Sequence, residues 1–152
     1  MAFEVLDVRL SQLSNTNTGT AIIGDTPILI GDVGLITTAA AGTSQAGDVR
    51  VWLSGTVVVA TSAEPPDLIL QIERNGTDTF GSGTLIYTES VNPTLTSSTA
   101  ISVTAADFPP ATDVNTNQIR YTLFISSATV SGDILTGPVT FNGIAAVGAG
   151  PF

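Results

Sequence analysis

Residues 48–75 read DVRVWLSGTVVVATSAEPPDLILQIERN, and this run decides the fold class. Its first part, Val49 to Thr61, is dense in β-branched and aromatic residues, which suit a pleated, half-buried surface. In its second part, Asp67 to Arg74, Leu68, Leu70 and Ile72 alternate with Ile69, Gln71 and Glu73, the period of two that marks a strand. Between them lies Ser62-Ala63-Glu64-Pro65-Pro66. No helix interior tolerates that sequence, because proline lacks an N–H and its ring clashes with the preceding turn. Asn75-Gly76 closes the second strand with the dipeptide that most readily takes positive φ. The run predicts a long hairpin with a bulge or corner at Gly55. One face of that hairpin is apolar and must be covered by the rest of the chain.

The flanking sequence supplies more strands. After it, Thr84–Val91, Thr99–Ala105, Gln118–Ala128 and Val139–Val147 carry strand patterns. They are separated by loops at Asn75–Gly83, which holds Phe80, and at Asp107–Asn117, which holds Pro109-Pro110; Asn92-Pro93 and Ser131-Gly132-Asp133 also break the pattern. Before it, Ala21–Ile23, Pro27–Ile30 and Leu35–Ala40 read as short, bent strands, and Gly42–Gly47 as a loop. At the start, Phe3–Leu10 alternates, with Leu6, Val8 and Leu10 on one side and Phe3, Val5, Asp7 and Arg9 on the other. Ser11–Thr20 (SQLSNTNTGT) is a polar, flexible spacer. A first strand on such a leash can pair within its own sheet or reach a neighbouring subunit, since pairing at a sheet edge needs no special side chains. No segment carries a helical period, and Gly148–Phe152 is a loose tail. The expectation is an all-β sandwich of about eight to ten antiparallel strands.

Composition narrows the function. At 152 residues the chain is one domain by length, and a core of that size needs no disulfide staple. It has no Cys, no His and no Lys. That removes thiolate metal sites, the usual general base and any Schiff-base lysine. Thirteen acidic residues stand against four arginines, for a net charge of −9, which makes nucleic acid and anionic membrane poor partners. Charged residues are only 11% of the chain, well under the roughly 25% usual for soluble domains. Thr, Ser, Gly and Ala make the surface instead, a surface suited to packing against copies of itself. No apolar run is long enough to insert in a membrane. The opening MAFEVLDVRL has neither a basic n-region nor an apolar h-region, so it is not a secretory signal. Such a chain is either a mature form with an added Met, or one that accumulates inside a cell and works after release.

With the strands placed, VRVWLSGTVVVAT followed by LILQIERNGT resembles the central strands of tumour-necrosis-factor-like and complement-head-like jelly rolls. The closing VTFNGIAAV (Val139–Val147) is similar to the last strand of that family. The Thr-, Ala- and Gly-rich variant without disulfides resembles the domains of bacillus-type spore-surface proteins, in the exosporium and in endospore appendages. The likeness covers residues 30–147. It implies a jelly-roll β-sandwich over residues 21–152, preceded by an N-terminal strand and spacer over 1–20. It also implies a homotrimer, spore-surface anchoring proteins as partners, and synthesis in the mother cell without a secretion signal. Two features depart from the family: there is no collagen-like stalk, and there are no N-terminal cysteines for crosslinking.

The residues that matter under this reading are contact residues. The expected inter-subunit connector is Phe3, Val5, Leu6, Val8 and Leu10. The candidate subunit interface is Trp52, Tyr87, Arg120, Tyr121 and Phe124, although at least two of the four aromatics are expected in the core. An Arg within a strand points away from its apolar neighbours, so Arg50 and Arg120 are either outward ion-pair partners or interface residues. Asp25, Asp32, Asp107 and Asp113 match no cation-loop spacing, so no metal and no cofactor is expected. No catalytic pair stands out, and the chain is read as a non-enzyme. The functional expectation is a structural, self-assembling subunit of an extracellular or spore-surface fibre or layer, polymerised non-covalently through its N-terminal strand and apolar sheet faces. Two other readings stand beside it: a trimeric lectin-like or receptor-binding module that uses the loops at Asn75–Gly83 and Asp107–Asn117, and a viral capsid or spike jelly roll.

Overall fold

A computed structural model describes residues 3–62, 66–93, 98–130 and 132–148. The strands are β1 (Glu4–Ser14), β2 (Ala21–Ile22), β3 (Ile28–Ile36), β4 (Val49–Ala60), β5 (Leu68–Arg74), β6 (Thr84–Val91), β7 (Ser98–Asp107), β8 (Gln118–Ser127) and β9 (Ile134–Val147). A single turn of helix, α1 (Ala111–Val114), follows Pro110. All pairings are antiparallel. One sheet has the order β1-β9-β4-β7, with β2 added beside β9, and the other has the order β3-β8-β5-β6. From β3 onward the chain alternates between sheets, apart from the β5–β6 hairpin. A five-stranded and a four-stranded sheet threaded in this order are a jelly-roll sandwich.

The strands expected from alternation are present, but the hairpin is not. β4 pairs with β7 and β9 in one sheet, while β5 pairs with β6 and β8 in the other. The two runs therefore face each other across the core. Val49, Val51, Leu53, Val57 and Val59 from β4 and Leu68, Leu70 and Ile72 from β5 are all buried there. Facing sheets bury both apolar rows, whereas a hairpin would have left them side by side and in need of a cover. Part of the connecting turn, residues 63–65, lies outside the described residues.

Gly55 is not a bulge. β4 runs unbroken against β7 from Val51 to Ala60, and its register shift comes later, between Val57 and Val59 against β9. The glycine makes room instead. A Cβ at Gly55 would lie 2.5 Å from the Thr140 carbonyl oxygen and 3.5 Å from the Phe141 ring. A Cβ at Gly31, in the opposite sheet, would lie 2.7 Å from Phe141 Cβ. Phe141 is wholly buried against both. Full burial of such a ring stabilises by roughly 1.5–3 kcal/mol.

Three further expectations change. Pro27–Ile30 and Leu35–Ala40 belong not to two pieces but to one strand, β3, which ends at Ile36. There Thr37 begins a turn, accepting from the N–H groups of Ala40 and Ala41. β1 extends to Ser14, so the first four of the ten residues of the expected spacer are strand. What remains is seated on β9: Gly19 N–H donates to the Thr136 carbonyl oxygen at 2.9 Å, and a Cβ at Gly19 would meet the Leu135 oxygen at 2.5 Å. Finally, a register shift between Val5 and Asp7 adds one residue to β1 and brings Val5 to the same face as Val8 and Leu10.

β1 also closes the sandwich. β3 is an edge strand, with unpaired N–H groups along its free side. Asp7 Oδ2 accepts from Ile36 N–H at 2.8 Å, and Ser11 Oγ accepts from Asp32 N–H at 3.2 Å. Two side chains of one sheet thus cap the edge of the other.

Candidate assembly face

The outer surface of the β1-β9-β4-β7 sheet is graded along its strands. Pairing register places Trp52 in a row with Ala106 of β7, Ile144 of β9 and Val8 of β1. Arg50, Ala146 and Val5 form the next row toward one end of the sandwich. In the other direction come Ser54, Thr104, Asn142 and Leu10, then Thr56, Ser102, Thr140 and Gln12. The face is apolar at the first end and carries hydroxyls and amides beyond.

At the apolar end lies an open groove of about 460 Å³, bounded by Phe3, Val5, Trp52, Phe108, Ile144 and Ala146 among others. None of the described residues lining it is acidic. Trp52 is 55% exposed, Phe108 58% and Phe3 65%. The Arg50 guanidinium lies 4.6 Å over the Phe108 ring and donates to the Val49 carbonyl oxygen at 2.9 Å. An Arg stacked on a ring presents its own flat, weakly hydrated face, so it extends the groove wall.

No family model matches this chain, and no curated protein matches it. Among solved structures it is similar to a chain in the structure of the Gx strain of infectious bursal disease virus, at 13% identity and a TM-score of 0.48, over 96% of this chain and 33% of that one. It is also similar to the subunit of Bacillus endospore appendages, described as a family of disulfide-linked pili, at 14% identity and a TM-score of 0.39, over 99% of this chain and 93% of that one. A ruminal GH26 endo-β-1,4-mannanase is similar at 14% identity and a TM-score of 0.34, over 87% of this chain and 20% of that one. The chain spans about a third of the length of the viral chains it resembles.

Of the expected interface residues, Trp52 is at the centre of the groove. Tyr121 and Phe124 are buried inside the chain and have no surface for a neighbouring subunit to touch. Tyr121 faces the core. Phe124 points the other way, but the loop after β5 folds over it: Phe80 meets it edge-to-face at 5.5 Å, and the buried Glu73 holds the loop by accepting from Gly81 N–H at 2.7 Å. Arg120 is engaged within its own chain. It forms a two-pronged contact with Asp32, at 2.9 and 2.7 Å, and also reaches Asp78 and the Gly76 carbonyl oxygen. These carboxylates, Asp32 foremost, push its pKa up. Tyr87 is half-buried, and its hydroxyl donates to Glu89 at 2.8 Å. Burial first, and then that carboxylate, push its pKa to about 12. Of the connector residues, Val5, Val8 and Leu10 are exposed on the face, Phe3 lines the groove, and Leu6 packs on the core.

Sequence reasoning missed Phe108, Ile144 and Ala146 as parts of this face. The position of Ile144 in the strand pattern, alternating with Ala145, was a usable signal. Phe108 was hidden in a loop. It also missed a buried network at the same end of the sandwich. Arg74 bonds Asp107 at 2.8 and 2.9 Å and Asp113 at 2.7 Å, and the Tyr121 hydroxyl donates to Asp107 at 2.8 Å. These contacts tie β5 and β8 of one sheet to β7 of the other and to α1. Phe108 follows Asp107 directly, so the network positions one wall of the groove.

Proposed function

We propose that this chain is a structural subunit that assembles with copies of itself into an extracellular or spore-surface fibre or layer, non-covalently and without catalytic chemistry. The observation that carries the reading is the apolar, acid-free end of the outer sheet face centred on Trp52. Two molecules that each carry a charge of −9 repel over most of their surfaces. They can approach where neither presents a carboxylate, and there burial of aromatic surface is worth the most. β1 supports the same reading. Val5, Val8, Leu10 and Leu13 are exposed, and of its apolar side chains only Leu6 packs on the core. Its hold on β9 is mainly main-chain pairing, which the same strand from a neighbour would satisfy equally well. Under this proposal residues 1–20 serve as connector and residues 21–152 as body, and jelly rolls associate as trimers before they stack.

The test is negative-stain electron microscopy of the purified protein, with its light-scattering mass. Wild-type protein is expected to form filaments or sheets. Trp52→Asp and deletion of residues 1–12 are expected to abolish them, with far-ultraviolet circular dichroism unchanged. Filaments from the deleted chain would remove the connector role. A wild-type protein that stays monodisperse at every concentration would overturn self-assembly, and a glycan array would then decide on the ligand-binding module.

A further inference from the structure

The outer face of the β1-β9-β4-β7 sheet does not stay polar to its far end. Past the row of Thr56, Val58 of β4 stands beside Ala100 of β7. The last row holds Ala60, Ile134 of β9 and Ile22 of β2, with Ser98 at its edge. Ile22 is 65% exposed. It pairs with β9 on the side that β1 takes further along, so it lies in the same column as Val5. The face is therefore banded along its strands: apolar, polar and apolar again. None of the described residues in these rows is acidic, and Arg50 is the one cation among them. Four strands about 4.8 Å apart, with rows about 6.8 Å apart from Arg50 to Ala60, make a face of roughly 650 Å². A standard interface takes about 800 Å² from each partner.

We propose that this whole face is one contact, made with the same face of a second copy turned end for end; the proposal rests on the self-assembly reading. The two-fold axis crosses the strands between Ser54 and Thr56, so each strand lies over its own copy. Trp52 then lies over the partner's Val58, Val5 over the partner's Ile22, and Asn142 over the partner's Thr140. Apolar side chains meet apolar ones, and hydroxyls and amides meet their like. Facing sheets interdigitate about 10 Å apart, and the bulk of Trp52 meets small residues at the opposite end. A copy turned head on head crowds the indoles and the Phe108 rings at one end and leaves the other end gapped. It also brings both Arg50 guanidiniums to that end, whereas end for end they stand about 34 Å apart along the strands. A face without carboxylates is what two molecules of charge −9 need in order to meet. A two-fold contact closes on itself, so it joins copies in pairs and leaves fibre growth to a second contact, the proposed β1 link.

The chain has no Cys, so single introduced cysteines report the contact. Thr56 and Thr88 are both exposed, and Thr88 lies on the opposite sheet. Treated with a short bismaleimide, Thr56→Cys is expected to link to itself about tenfold more than Thr88→Cys, since groups held in a contact react at high effective concentration. Val5→Cys and Ile22→Cys are expected to link to each other when mixed and to give little product alone. Far-ultraviolet circular dichroism checks that each variant keeps the fold. Thr56→Cys that links no better than Thr88→Cys would overturn the proposal. A Thr56→Cys link without the Val5–Ile22 link would overturn the end-for-end arrangement and place the copies head on head. Light scattering of the wild-type protein separates the two readings. Association without a Thr56→Cys link keeps self-assembly and removes this contact, whereas a monomer at every concentration removes both. Linked pairs in a protein that never forms filaments support the contact and remove only the fibre.

Discussion

Single residues hold this sandwich by filling or pairing, and the two tyrosines give a direct reading of that. Burial and the nearby Glu89 carboxylate push the Tyr87 phenol to about 12, and burial, with Asp107 beside it, raises that of Tyr121 further. A phenol with a raised pKa in the fold contributes stability that is fully present below its unfolded value of 10.0 and is lost as pH rises through the folded value. Tyrosinate absorbance is therefore expected to stay absent between pH 10.0 and about 12, then to appear together with loss of structure. An ordinary titration of either tyrosine near 10.0 in folded protein would contradict this placement. Arg74 belongs to the same scale. Arg74 of β5 and Arg120 of β8 are spent on carboxylates inside the chain, and Arg50 of β4 stacks on the Phe108 ring. That pairing was only half legible in sequence. An outward Arg120 follows from alternation, but its partner Asp32 is far away in the chain and was visible only as a turn residue. The same is true of Gly55 and Gly31: their spacing suggests irregular strands, whereas their reason is a phenylalanine more than eighty residues further on.

Among elements, β1 is the one whose role the structure changes. A flexible leash was expected from SQLSNTNTGT, because polar, small residues carry no strand period. The segment is ordered by partners it meets only in the fold: Leu135 and Thr136 beneath it and the β3 edge beside it. Asp7 is the clamp. Partial burial raises its carboxyl, but the Ile36 N–H, Arg9 and its neighbour Val8 N–H together outweigh that and hold it below the ordinary 3.8. A lowered carboxyl contributes stability present above its unfolded value and lost as pH falls through the folded one. The protection factor of the Ile36 amide against hydrogen exchange is expected to fall as pH drops below 3.8, and to be low at all pH values in Asp7→Ala. Unchanged protection in the variant would mean that β3 is held without the clamp. If β1 also links subunits, as proposed, this clamp is what a neighbour's strand must reproduce.

At the scale of the whole molecule, charge and apolar surface are segregated. Thirteen acidic residues give a net −9, yet the end of the sheet around Trp52 has none among its described lining residues. Under the proposed assembly through that face, apolar gain is set against long-range repulsion, and repulsion is screened over about 10 Å at about 0.1 M salt. Self-association is therefore expected to strengthen when sodium chloride rises from about 0.02 to about 0.2 M, as read by light scattering. Weakening with salt would point instead to ion pairs across the contact and away from this face.

The amino-acid sequence alone determined most of the strand segments and which residues of β4, β5 and β8 face inward. Those are local properties, set by side-chain alternation and by Pro, Gly and Asn. It also excluded thiol and imidazole chemistry outright. The tertiary structure alone decided which strands pair, because main-chain hydrogen bonds carry no residue identity and join segments far apart in the chain; hence the expected hairpin opened into two facing strands. It alone decided, too, which outward side chains are covered. The loop after β5 folds over Phe124 and removes it from the surface, whereas Trp52, set in an equally strand-like run, is left half-exposed on the opposite sheet. Nothing in the immediate sequence of either residue distinguishes them, since the cover comes from elsewhere in the fold.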